Sequence, residues 1–233
     1  MKISEISSFT SICQRNNNED FYSYLAQSAV VLCDGVGGQE NGEVASELFV
    51  NIIKDELNNI KFDSSNFFNH VLHLYRKQTF ANKNFQNMAT TLTFSIIQNN
   101  VIFVAWCGDS RIYHIRDGNI IFQTEDHTWV NDAIKSGIIT FEESINHPNK
   151  NIITKAIRAD SQSSFIDFKI IDDIKNDDFI FHCSDGVLES WSNQSLTELF
   201  QNKYNTKKYV DIIRNKCEQN SRDNSTAVLY KIK

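Results

Sequence analysis

Short apolar, β-branched runs recur along the chain at 3–11, 28–33, 91–98, 101–107, 111–116, 119–123, 165–171, 178–183 and 226–232, each with the length and composition of a strand. Two of them, "LTFSIIQ" and "VIFVAWC", are separated only by Asn99 and Asn100, which is the pattern of a tight hairpin. Between the early runs the period changes. Val44, Leu48, Ile52, Ile53, Leu57 and Ile60 fall on one helical stripe, and Phe67, Phe68, Val71, Leu72, Tyr75 and Phe80 on a second, with Ser64 and Ser65 placed to cap it. Further helices are predicted near 150–157, 194–201 and 207–219. Because the strands cluster in hairpins instead of alternating strictly with helices, the pattern predicts an antiparallel α+β layered fold and not a doubly wound sheet.

No repeat, linker or Pro/Ser-rich boundary divides the 233 residues, whose single proline is Pro148, so one domain spanning 1–233 is expected. A hydrophobic content of 41% with 12% aromatics excludes disorder. The net charge of -6 leaves no electrostatic footprint for nucleic acid or an anionic membrane. The segment "MKISEISSFTSICQRNNNED" lacks the apolar stretch of a signal peptide, and no apolar run has membrane-spanning length, so a cytoplasmic protein is expected. Five cysteines without a CxxC pair read as reduced thiols and not as a zinc site. Nothing calls for an obligate oligomer, and a monomer is expected.

The candidate chemistry begins at "VVLCDGVGG", residues 30–38, where an apolar run ends in Asp34 and a glycine-rich turn. A phosphate cradle is one reading of such a turn, but there is no GK[ST] after it, and Glu40 stands where a third glycine would complete a dinucleotide fingerprint. The same grammar returns in "WCGDSR" and "HCSDGV": an apolar strand, a cysteine, then within two residues an aspartate, Asp109 or Asp185. Asp223 in "SRDNST" precedes the last strand, and "NNED" adds Glu19 and Asp20. Any one of these aspartates alone reads as a turn former. Six carboxylates gathered at strand ends would repel one another unless a cation neutralised them, and hard oxygen donors suit Mg2+ or Mn2+. On this reading Gly35, Gly37 and Gly38 let the backbone turn tightly and bring a carbonyl close to an ion.

In that order, "RNNNED", "DGVGG", "GDSR", "SDGV" and "DNST" resemble the metal-dependent Ser/Thr protein phosphatases of the protein phosphatase 2C type, in particular their compact bacterial members. The resemblance implies a four-layer α/β/β/α sandwich of two antiparallel sheets flanked by helices. It implies two Mn2+ or Mg2+ ions: Asp34 bridges them, Glu19 and the Gly35 carbonyl bind one, Asp185 and Asp223 the other, and Asp20 supports the site from behind. Asp109 with Asp185 matches a third, weaker metal position, and Arg15 matches the arginine that grips the substrate phosphate. The implied reaction is removal of phosphate from phosphoserine and phosphothreonine in proteins by a water bridging the two ions. Partners are then phosphoprotein substrates, including a Ser/Thr kinase and its targets. A catalytically weak, phosphoprotein-binding or regulatory module of the same fold is the alternative.

Departures from the family pattern are local. Val36 stands where many eukaryotic relatives carry a histidine thought to protonate the leaving group. That leaves a metal-bound water as the first candidate acid and His127 of "DHT" as the second, with a structural hydrogen-bonding role as the other reading of His127. Ala89 and Arg158 stand where the family usually has glycine, and residues 136–158 match a flap beside the active site that touches the protein substrate. Cys33, Cys107 and Cys183 read as compact buried strand residues, with metal ligation or redox sensing as the alternatives.

Overall fold

The computed structural model describes residues 1–25, 28–36, 41–80, 82, 85, 87–159 and 165–233. Twelve strands and seven helices lie in these residues. One five-stranded sheet runs β1 (Ile3–Ser11), β12 (Ser225–Ile232), β11 (Phe179–Cys183), β7 (Arg111–Arg116) and β8 (Asn119–Gln123). The other runs β10 (Asp167–Ile171), β6 (Val101–Cys107), β5 (Leu92–Gln98), β3 (Ala29–Asp34) and β2 (Asp20–Leu25). All ladders are antiparallel. Helices α1 (Gly42–Asn59) and α2 (Phe67–Phe80) cover the second sheet. Helices α5 (Asp185–Ser190), α6 (Asn193–Phe200) and α7 (Thr206–Asn220) cover the first. The result is the expected four-layer sandwich.

Both faces of the central strands are buried, which is why β3, β5, β6, β11 and β12 read as continuous apolar runs. In β3, Val31 and Cys33 pack toward α1 and α2 while Val30 joins the core between the sheets. In β12, Ala227 and Leu229 face the helices while Val228, Tyr230 and Ile232 face the other sheet. Burying apolar area on both faces supplies the main favourable free energy of the fold, about 25 cal/mol per Å². A polar lash crosses between the sheets. His182 on β11 bonds Ser95 Oγ at 2.8 Å and Thr93 Oγ1 at 3.1 Å, and Tyr230 on β12 bonds Ser95 Oγ at 2.9 Å. Burial pushes the His182 pKa down to about 3, so this ring is a neutral hydrogen-bonding group.

The Asn99–Asn100 hairpin forms as predicted, with φ of 52° and 60° at the two asparagines, the left-handed conformation a two-residue turn demands. The turn before α2 is organised by Asp63 and not by the serines: its carboxylate accepts from the Ser65 amide and hydroxyl and from the Asn66 amide group. The helix expected at 150–157 is absent. Residues 148–151 form turns, Ile153 makes an isolated bridge to Thr128, and β9 (Ile157–Arg158) pairs with β4 (Ala89–Thr90). The apolar spacing there serves two separate docking contacts, not one helical face. Helices instead occupy Trp129–Lys135 (α3) and Phe141–Ile145 (α4), the latter begun by a capping box between Thr140 and Glu143. Strand β2 at the sheet's edge lacks the β-branched apolar run that marks the other strands, because "DFYSYL" mixes polar and aromatic residues without Val or Ile.

Candidate active site

Strand ends from both sheets meet at one rim, and the loops there enclose a cavity of about 50 Å³ lined by Arg15, Glu19, Asp34, Gly35, Val36, Thr91, Asp109, Ile153, Asp185, Asp223 and Asn224. Seven of the eight residues singled out from the sequence line it. The eighth, Asp20, lies behind the wall at 6% exposure, directly across the β2–β3 ladder from Asp34.

Short polar contacts hold the strand ends and loops that carry the acidic residues. Thr91 Oγ1 accepts from the Asp34 amide at 3.0 Å and bonds Ser110 Oγ at 2.8 Å, while Thr90 Oγ1 donates to the Asp34 carbonyl at 2.8 Å. Ser184 Oγ donates to Asp20 Oδ2 at 2.8 Å and accepts from the Thr226 amide at 3.0 Å, tying β2 to the other sheet. Glu189 Oε2 accepts from the Arg222 amide at 2.6 Å and the Asp223 amide at 3.3 Å, fixing the loop before β12. Arg15 donates from Nη2 to Asp223 Oδ2, and this pairing raises its pKa further.

Two of the glycines carry a packing constraint as well. A Cβ on Gly35 would lie 2.4 Å from the carbonyl group of Gly42, and one on Gly42 would lie 2.7 Å from Glu19 Oε2. Gly35 is therefore required because the backbone at the start of α1 presses against it, whereas a side chain at Gly42 would displace the Glu19 carboxylate. Gly37, Gly38 and Glu40 lie outside the described residues.

The electrostatics of the cavity are those of an acidic cluster in which Arg15, paired with Asp223, is outnumbered by carboxylates. Burial, then repulsion from Asp20, pushes the Asp34 pKa well above the usual carboxylate range. Burial, then repulsion from Asp109, does the same to Asp185. Burial raises Asp20 to about 6, and burial with Asp126 nearby raises Asp109 to about 7. Asp20 Oδ1 and Asp109 Oδ1 are buried without a hydrogen-bond partner. Among the described residues no group of three or more acidic, His or Cys side chains is already drawn together as a ready-made metal cluster. Orphaned carboxylate oxygens in an all-oxygen cavity nonetheless fit a hard divalent cation, whose charge would reverse these pKa shifts.

The chain matches the model of protein phosphatase 2C over residues 11–229. It belongs to the protein phosphatase 2C family. Membership makes it a metal-dependent protein serine/threonine phosphatase. The protein phosphatase PhpP of Streptococcus pneumoniae is 31% identical over 207 residues, covering 84% of this chain and 83% of that protein. The solved serine/threonine phosphatase Stp1 of Staphylococcus aureus superposes with a TM-score of 0.87 at 27% identity, covering 98% and 95% of the two chains. The catalytic domain of PstP, solved in complex with two manganese ions, shares the fold with a TM-score of 0.82 at 24% identity, over 99% of each chain.

Three details set this phosphatase 2C chain apart or went unread in its sequence. Asn224 is the first: its Nδ2 donates to the Ile12 and Asn17 carbonyls at 3.1 and 2.9 Å, and its Oδ1 accepts from the Glu19 amide at 2.9 Å. It clamps the loop carrying Arg15 and Glu19 to the loop carrying Asp223. Its place inside the "DNST" motif was the available signal. His127 is the second. Its Nδ1 accepts from the Gly108 amide at 3.1 Å, so the ring carries its proton on Nε2 and donates to Asp167 at 2.9 Å. Burial lowers its pKa, and it does not line the cavity, which fits the structural reading. Third, Ala89 and Arg158, the two departures from glycine, are direct partners in the β4–β9 ladder. Cys33, Cys107 and Cys183 are free and fully buried, and burial raises all three thiols, Cys107 to about 12, as compact strand residues require. Among the described residues no helix is long and apolar enough to cross a membrane.

Proposed function

We propose that this chain, acting as one phosphatase domain with a flap at 136–158, hydrolyses phosphoserine and phosphothreonine monoesters in cytoplasmic proteins and opposes a Ser/Thr kinase. What carries this reading is the convergence of Glu19, Asp34, Asp109, Asp185 and Asp223 with Arg15 on one cavity. Two divalent ions bound there, Mn2+ or Mg2+, would supply an activated water at neutral pH and offset phosphoryl charge. Asp34 is assigned to both ions, Glu19 and the Gly35 carbonyl to one, and Asp185 and Asp223 to the other. Asp20, bonded to Ser184, supports Asp34 from behind. Asp109 and Asp185 are assigned to a third, weaker ion.

Arg15 orients the substrate. Its guanidinium offers a planar fork of donors that matches phosphate oxygens, and its side chain is 52% exposed at the cavity mouth. On substrate binding Arg15 shares its donors between Asp223 and the phosphate. Ile153 contributes an apolar wall from the flap, excluding water beside the phosphoester. Val36 carries no proton, and His127 is committed to Gly108 and Asp167, so neither is assigned as the leaving-group acid. The complete acidic set counts against a binding-only module, which would have no use for five carboxylates at one cavity.

The test is hydrolysis of p-nitrophenyl phosphate and of a phosphothreonine peptide by wild type and Asp185→Asn, with Mn2+, Mg2+ or chelator. Turnover should require metal and fall by at least two orders of magnitude in the variant. Activity that survives both chelator and substitution would overturn the assignment.

A further inference from the structure

Strand β10 forms the outer edge of the second sheet, and among the described residues it pairs with β6 alone. An edge strand presents unpaired amides and carbonyls that a further strand can take up. Its apolar side chains are also uncovered. Phe168 is 69% and Ile170 54% exposed. Phe168 stacks on Phe103 with ring centres 5.9 Å apart and planes at 18°, and Phe103 stacks in turn on Phe68 at 6.4 Å. Together with Leu72 and Ile166 these rings border a cavity of about 220 Å³ between β10 and α2. The apolar face of the sheet thus runs on past its last strand.

The sequence of the edge specifies what can cover it. Ile166-Asp167-Phe168-Lys169-Ile170 is self-complementary about Phe168. In an antiparallel pair of two copies centred there, Ile166 meets Ile170, Asp167 meets Lys169, and Phe168 meets Phe168 of the other copy. Opposite charges and apolar pairs directly across a ladder stabilise it, whereas like charges destabilise it. A one-residue slip, or an unrelated strand, would leave both charges without their complement. Both charged side chains also make contacts within their own chain: Asp167 Oδ2 accepts from His127 at 2.9 Å, and Lys169 Nζ lies 4.9 Å from the centre of the Phe122 ring. The Asp167 side chain still keeps half its surface open to a partner.

We propose that β10 docks against β10 of a second copy of this chain across a twofold axis, joining two five-stranded sheets into one. The active-site cavity is complete within each copy, so pairing is not needed for the chemistry. Five residues a side give a small interface, below about 1,200 Å², and hence reversible association.

Sedimentation velocity of the full chain between about 10 µM and 1 mM tests this, since weak interfaces associate in that range. The mean mass should climb from 26.8 kDa toward twice that value. Lys169→Asp and Asp167→Lys should each stay monomeric, because like charges then face each other. Their equimolar mixture should associate again, as should the double swap in one chain. Because Asp167 also holds His127, a second pair avoids that contact: Phe168→Glu and Phe168→Lys should each be monomeric and associate when mixed. A wild type that stays monomeric throughout, an association insensitive to these substitutions, or mixtures no more associated than their components would overturn the proposal.

Discussion

Asp20 and Asp34 stand directly opposite one another across the β2–β3 ladder, Asp20 buried behind the acidic cavity and Asp34 half-buried in its lining. Like charges in that position destabilise a sheet, and burial raises both pKa values. A carboxylate whose folded pKa exceeds its ordinary value binds more protons folded than unfolded, so its penalty is absent below about pH 4 and grows as pH rises through the folded pKa. Buried neutral His127 and His182, with lowered pKa values, act oppositely as pH falls through about 6.5. Comparing Asp20→Asn with wild type cancels the histidine contributions. In chelator at pH 7.5 the variant should be more stable by about 2 kcal/mol, a rise in Tm of roughly 4–8 °C. The difference should vanish near pH 4.5. Thermal unfolding followed by circular dichroism reads both; a variant less stable than wild type at pH 7.5 would refute the account of repulsion.

Arg15 and Asp223 form a pair at the cavity mouth, with side chains 52% and 30% exposed. Such an exposed pair contributes little to stability, about 0–1 kcal/mol, so its purpose lies elsewhere. Lysine keeps the charge and loses the planar fork. Arg15→Lys should therefore raise KM for a phosphopeptide about tenfold while Mn2+ affinity, measured by calorimetry, stays within about twofold. An unchanged KM would remove Arg15 from phosphate binding.

What the sequence disclosed and what it hid divide by physical cause. Strand-exit aspartates were legible because each acidic residue interrupts an apolar run, and only a shared cavity makes sense of Asp34, Asp109 and Asp185 together. Layering was legible because doubly covered sheets leave continuous apolar strands. The flap misled because Ile152, Ile153 and Ile157 mimic a helical stripe while serving a half-exposed position, a bridge and a short strand. The packing constraint on Gly35 was hidden because it comes from Gly42, a contact between elements that no local pattern encodes. Asn224 was hidden for the same reason: its three bonds reach residues more than 200 positions away.

That clamp yields the third prediction. Alanine at Asn224 would leave the Glu19 amide and the Ile12 and Asn17 carbonyls without their partner, freeing the loop that holds both Arg15 and Glu19. Residues that orient ligands in this indirect way commonly govern 10–100-fold in metal affinity or activity. Asn224→Ala should lower kcat/KM by about that factor and weaken Mn2+ binding in parallel. Loss of Tm without loss of metal affinity in the residual folded protein would mark Asn224 as a purely structural residue.

Asp178 sits at the opposite end of β11 from Asp185 and offers a control for the whole site. Its carboxylate is 1% exposed and accepts from Arg116 Nε at 2.9 Å and from Arg116 Nη2, His114 Nε2 and the Lys175 amide at 2.8 Å each. Burial alone would raise its pKa, but Arg116 and His114 hold it well below the usual range. With a depressed folded pKa, its contribution is present above about pH 4 and lost as pH falls below that, the reverse of the Asp20 case. Removing one partner from such a buried network leaves the Arg116 charge uncompensated and costs about 3–5 kcal/mol. Asp178→Ala should therefore lower Tm by about 10 °C at pH 7.5 while kcat/KM at 25 °C stays within about twofold of wild type. A loss of activity matching that of Asp185→Asn, in protein still folded at 25 °C, would show that the two ends of β11 are coupled and that strand position, not only the loop, sets the geometry of the acidic cavity.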